Sequence, residues 1–187
     1  EDALVQAKRI ATDVAPDTMR PIDRTSKQMP RLLDLGRKMR QLIKTVQKNP
    51  HDVSARNELV MDVFILSLDR PRDAKKYLSA DMDDAVVSRV CLAAGDAEKY
   101  PPQAVLELAD WYFTLIGRAN PSQLAGVLIH AKTCYELYRR MMNNELDETT
   151  RANIAKVDGL LKEHKIRVNL DSVRKKTDGN DLSSAIE

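Results

Sequence analysis

Apolar residues recur at every third or fourth position along most of the chain, and no convincing run of alternating β-branched residues interrupts that rhythm. Ala3, Ala7, Ile10 and Val14 predict a short helix over residues 2–13, which Pro16 and Pro21 break. From about 28 to 48, Leu32, Leu35, Met39, Leu42, Ile43 and Val46 form an apolar stripe that needs a partner, with Pro30 near the start, where its missing N–H is harmless. Asn49 and Pro50 stop that helix, and Asp52 is a candidate N-cap for the next. Leu59, Val60, Val63, Phe64 and Leu66 give this next helix a buried face through about Leu68. Pro71 opens a brief helix through Ala74, Tyr77 and Leu78. Asp81 or Asp83 caps another, with Val86, Val87, Val90, Cys91 and Ala94 aligned before Gly95.

The strongest pattern lies between Pro101 and Asn143. Val105, Leu108, Tyr112, Leu115 and Ile116 line one arm, while Leu124, Val127, Leu128, Ala131, Cys134, Tyr135, Tyr138 and Met141 line a second. Two such arms joined at Pro121 and Ser122, with Ser122 or Asn120 as cap, predict a helical hairpin. A last helix over about 147–164 carries Ile154, Val157, Leu160 and Leu161. Beyond His164, the alternation of Ile166, Val168 and Leu170 and a following polar stretch predict a short extended segment and a linker. The expected fold is therefore all-α: stacked antiparallel helical hairpins, none of which can bury its apolar side alone. The expected organisation is an N-terminal helix and Pro-containing connector over 1–27, a helical domain over 28–164 and a polar tail over 165–187.

Val105, Leu108, Ala109 and Tyr112, with Ala131 and Tyr135, match positions of a tetratricopeptide unit, in which small residues let paired helices approach closely. A fainter copy runs through Leu59, Val60 and Val63, with Ala74 and Leu78 on its second helix. The arms around Tyr112 and Ala131 are longer than in an ordinary 34-residue unit. Three stretches, NPHDVSARNELVMDVFILSLDRPRDAKKYL (49–78), AVLELADWYFTL (104–115) and AKTCYELY (131–138), make the chain resemble an uncharacterised family of tetratricopeptide-like modules abundant in planctomycete-type bacteria. The resemblance spans roughly residues 49–163 and implies an irregular α-α superhelix in exported, multi-domain proteins, hence an exported or periplasmic location, with no activity attached to the module itself.

Composition narrows the picture further. The 187 residues are 43% hydrophobic and 31% charged, with a net charge of +2, too balanced for a dedicated polyanion binder. Residues 1–50 nevertheless carry 11 basic against 6 acidic side chains, so any electrostatic bias lies there. Arg37, Arg40, Lys44 and Lys48 form a basic face opposite the apolar stripe, which a solvated surface explains as well as polyanion binding does. No run approaches the roughly 20 apolar residues of a transmembrane helix. Cys91 and Cys134 are either bridged or, as the favoured reading, two buried thiols. The chain starts at Glu1 without a signal-peptide pattern, so a processed or trimmed product is expected.

Candidate chemistry is sparse. His51, His130 and His164 lack metal-ligand spacing, and the phosphate-binding glycine loops and the GxSxG elbow are missing from the sequence. His130 and Glu136 are expected to face solvent or be hydrogen-bonded. Asp83 with Asp84, and Glu145 with Asp147 and Glu148, fall at helix starts, where the helix dipole favours carboxylates. No catalytic residue, cofactor or metal is expected. Trp111, Tyr112, Tyr135 and Tyr138 are the candidate binding residues, able to line a peptide groove or to form a core seam; Trp111, one position off the stripe, is expected to be partly exposed. The expected function is a non-enzymatic helical-repeat module that contacts a protein or a neighbouring domain of its own parent chain, with no specific nucleic acid. The alternative is a polyanion or cell-envelope binder using the Arg37, Arg40, Lys44 and Lys48 face.

Overall fold

The computed structural model describes residues 19–166 and 168, with side chains from Met29 onward. The described residues are all-α, without a strand. The proposed helix over 2–13 and nearly all of the tail lie outside them. Seven α-helices follow in order: α1 (Met19–Lys48), α2 (Val53–Asn57), α3 (Pro71–Ala74), α4 (Asp84–Ala94), α5 (Pro102–Leu115), α6 (Leu124–Met141) and α7 (Glu148–Glu163). Between α2 and α3 the chain runs as a π-helix, Glu58–Ser67. The chain divides into two compact units between Leu59 and Val60.

In the first unit, α1 starts earlier than the prolines predict. Pro21 sits in its first turn, where no N–H is needed, while Pro30 falls inside the helix. Leu42 and Val46 are buried and α1 packs against α2. Leu32 and Leu33, two turns upstream, are more than half exposed. Asp52 caps α2 as expected, its carboxylate accepting from the Ala55 N–H at 2.9 Å. Lys38 Nζ meets Glu58 Oε1 at 2.6 Å.

The second unit begins on the π-helix, where the sequence pattern predicts an α-helix with one buried face. Seven of its positions, among them Val60, Val63, Phe64 and Ile65, are buried, so the segment has no clean polar side. Its hydrogen bonds widen accordingly: the Leu68 N–H reaches the Val63 carbonyl at 2.9 Å, five residues back. Two of its three polar positions, Asp62 and Ser67, bond to the α5–α6 connection through Arg118 at 3.2 Å and Gln123 at 2.9 Å.

Successive elements from α3 to α7 pack on their neighbours, and the α5–α6 pairing is the most extensive. Contacts fix the direction of travel. Asp110 meets Tyr135 and Tyr112 meets His130, so α5 and α6 run antiparallel. Lys132 meets Asp158, whereas three residues further along α6 Tyr135 shares Asp110 with Asn153, so α7 is antiparallel to α6. Ala109 and Ala131, the small residues of the tetratricopeptide pattern, are fully buried. The fainter copy lacks a full second arm, because α3 has four residues and continues only as a 3-10 turn, Lys75–Tyr77. Asp83 caps α4 and Asp147 caps α7, which assigns the acidic pairs to helix starts. The expected Ser122 or Asn120 cap of α6 does not form; the Asn120 carboxamide oxygen instead accepts from the Ser122 N–H and hydroxyl within the turn. No helix among the described residues is long and apolar enough to cross a membrane.

Gly95, at the end of α4, has a steric role. A Cβ there would lie 1.8 Å from the Tyr100 hydroxyl, which caps the Leu92 carbonyl from 3.2 Å. Gly95→Ala is expected to expel that ring and cost about 1–3 kcal/mol. The cost should fall well below the sum of the single changes in a Gly95→Ala/Tyr100→Ala double variant, as measured by denaturant unfolding.

Candidate functional site

The four aromatic candidates do not form a groove wall. Trp111, Tyr112, Tyr135 and Tyr138 are all buried, Tyr135 completely. Trp111 in particular is 5% exposed, against the expectation of partial exposure. The reason is that α5 packs on both α4 and α6, so positions beside the main stripe are covered too. Tyr135 donates a hydrogen bond to Asp110 Oδ1 at 2.6 Å, and the Asn153 amide approaches the same oxygen at 3.4 Å. Burial, then the bond to Asp110, pushes the Tyr135 phenol well above its usual range. Through Asp110 and Asn153, Tyr135 links α6 to α5 and α7.

An open concavity lies elsewhere in the second unit. It is formed by the turn at residues 69–73, the end of α4 at Ala93 and Gly95, and His130 on α6, and encloses about 460 Å³. Its shape begins with the way the π-helix ends. Asp69 adopts a left-handed backbone, φ 53°, and the Arg70 N–H returns to the Phe64 carbonyl at 2.8 Å, a helix stop that glycine usually provides. Pro71 then starts α3 at once, so two Arg and two Asp side chains are packed into five residues. A non-glycine residue in this conformation costs energy that its surroundings must offset. At Asp69 the offset is an imidazole: the carboxylate Oδ1 lies 2.7 Å from His130 Nε2.

His130 is held on a second side, its ring stacked on Tyr112 with centroids 4.7 Å apart. The hydrogen bond from His130 holds the Asp69 carboxyl below its ordinary range, against the opposing effect of partial burial. Asp73 is likewise engaged, accepting from Lys76 Nζ at 2.6 Å, with Arg70 further off at 3.8 Å. Arg72 lines the cleft and makes no ion pair among the described residues. The acids of the turn are thus occupied while guanidinium charge remains available.

The Asp69 shift has a direct consequence for acid stability. A carboxyl with a depressed folded pKa stabilises the fold above its unfolded value, about 3.9, and that contribution disappears as the pH falls through the lower folded value. Acid unfolding of the wild type should therefore steepen below about pH 4. Asp69→Asn should be less stable at neutral pH and lose less on acidification, as followed by circular dichroism.

No family model matches the chain. Nor does any curated protein or solved structure. What the cleft does must accordingly be read from its own chemistry. Both cysteines are free; Cys134 is buried, and burial pushes its thiol up to about 12, which leaves it protonated and inert at neutral pH. Cys91 is only partly buried, short of the expectation. Among the described residues no three His, Cys, Asp or Glu side chains converge as metal ligands. Glu136 is buried, but it belongs to an ion-pair cluster with Lys132 and Arg139.

The Asp69–His130 contact spans 61 residues, and neither partner sits in a recognisable motif. The usable sequence signal was the charge density of Asp69, Arg70, Arg72 and Asp73 around Pro71, unusual for a connector between two apolar segments.

Proposed function

We propose that this chain is a non-enzymatic helical-repeat module of the tetratricopeptide-like kind, mediating protein–protein or interdomain contacts, and that the cleft over residues 69–73 and His130 is its contact face. The observation that carries this reading is the cleft itself: a concavity of about 460 Å³ whose wall is fixed by the Asp69–His130 contact and the Tyr112 stack. Rigid walls lower the ordering cost of recognition. The buried small residues Ala109 and Ala131 support the repeat assignment, since they sit where paired helices approach. The absence of enzymatic activity is supported by the state of the nucleophile-capable groups near the cleft. Burial pushes both Cys134 and Tyr112 toward their protonated forms.

A displayed random-peptide library selected against the immobilised chain tests the proposal. Enriched peptides should lose binding to an Arg70→Ala/Arg72→Ala variant and keep it with Lys156→Ala, whose ammonium instead lies 5.2 Å over the Phe113 ring. Failure to enrich, or equal binding to both variants, contradicts the reading.

A second reading rests on α1. Arg40, Lys44 and Lys48 are exposed at helical spacing without an ion pair among the described residues, although Arg37 is bonded to Asp34. Under this reading heparin retains the chain and releases it steeply with salt, and Arg40→Ala/Lys44→Ala/Lys48→Ala abolishes retention. Passage through heparin at low salt removes it.

A further inference from the structure

The cleft has a charge distribution that specifies more than contact in general. Its two carboxylates are each satisfied from within the protein, Asp69 by His130 at 2.7 Å and Asp73 by Lys76 at 2.6 Å. Arg70 retains only a long, exposed approach of 3.8 Å to an Asp73 that already has a closer cation. Arg72 has no ion pair among the described residues. Arg70 and Arg72 balance Asp69 and Asp73 within the lining, and Lys76, which stands outside it and pairs with Asp73, adds one positive charge beside the cleft. The rest of the lining is small and apolar: Pro71, Ala93 and the bare backbone of Gly95.

Two arginines that line a cavity together with Pro71, Ala93 and Gly95 suit one kind of ligand. A planar or tetrahedral oxyanion offers several acceptor oxygens at the spacing of a guanidinium fork, and these charge-assisted hydrogen bonds are about twice as strong as neutral ones. The Asp69–His130 pair serves a separate purpose, since it occupies the carboxylate that would otherwise compete for Arg70 and Arg72. We propose that the cleft binds a single oxyanion group, a carboxylate or a phosphoryl, carried on a peptide segment of the partner, with Arg72 as the principal donor and Arg70 released from Asp73 to join it. This rests on the reading of the cleft as the contact face and names the chemistry it selects.

The test is an amide-shift titration of the full chain with inorganic phosphate and, separately, with succinate, at ionic strength held constant with sodium chloride. Saturable shifts at Ala93, Gly95 and His130 are expected. Arg72→Ala should weaken them about tenfold or more, the scale of a lost charged hydrogen bond, and Arg72→Lys should recover only part. Arg72 is exposed, so an unchanged spectrum away from the cleft verifies that each variant folds. Saturation with phosphate alone assigns a phosphoryl source, and saturation with succinate alone a carboxylate; either supports the proposal, as does saturation with both. Linear drift with both anions, or binding that survives Arg70→Ala/Arg72→Ala, overturns it. If the anions fail while library peptides still depend on the cleft, the oxyanion chemistry falls and the contact reading stands.

Discussion

Tyr135→Ala is expected to lower the unfolding free energy by about 3–5 kcal/mol, a large share of the 5–15 kcal/mol typical of a folded domain. The ring is completely buried in the α5–α6 seam, and Phe113 meets it edge-on at 6.5 Å. Removing it opens a cavity that the antiparallel arms cannot close, because Ala109 and Ala131 have no side-chain length to reach into it. Tyr135→Phe separates packing from polarity. It keeps the ring and deletes the 2.6 Å bond to Asp110, for an expected cost of about 1.5 kcal/mol, since the half-buried Asp110 can rehydrate. Urea unfolding with an unchanged slope distinguishes a smaller stability from a looser native state. Equal costs for the Ala and Phe variants would mean that the hydroxyl, not the ring, holds the seam.

Lys132→Met should be the next most damaging change, at about 3 kcal/mol. Lys132 Nζ stands 2.7 Å from both Glu136 and Asp158, bridging α6 to α7, and its side chain is only 14% exposed. Burial alone would lower the ammonium pKa, but the bonds to Asp158 and Glu136 outweigh it and hold the group above its usual range. Without the cation, Glu136 keeps only Arg139, at 2.5 Å, and two carboxylates are left facing one another. Adding Glu136→Met to Lys132→Met should restore most of the loss, because replacing a buried pair by apolar groups is often near neutral. The double-mutant cycle measures this coupling. Strict additivity would show that the bridge contributes nothing.

The helices were legible in the sequence wherever apolar residues kept a 3.6-residue period and a polar cap marked the start. Asp52, Asp83 and Asp147 each cap the helix that follows them, and α5 and α6 fall between the expected limits of their hairpin. What escaped depended on tertiary context. The Glu58–Ser67 segment reads as one face of an α-helix, yet nearly all of its surface is covered, and its backbone widens to i→i−5 bonding. The early start of α1 is hidden by Pro21, which resembles a break in the sequence although the first turn of a helix tolerates proline.

The site was less legible than the fold. Aromatic residues draw attention in a sequence, but Trp111 and Tyr138 are covered in the second unit, and the packing of α5 against neighbours on two sides leaves no mark in its own pattern. Asp69 and His130 carry no motif, and a left-handed backbone at an aspartate leaves almost no trace in the sequence. Their pairing follows from where the π-helix ends and how α6 lies across that end.

We propose that recognition occurs at the 69–73 turn and His130. Mapping the amide shifts that a library-selected peptide induces in the full chain tests it most directly. The largest changes should cluster at Ala93, Gly95, His130 and the turn between Asp69 and Asp73. Changes confined to Arg40, Lys44 and Lys48 on α1, with the cleft unmoved, would contradict it.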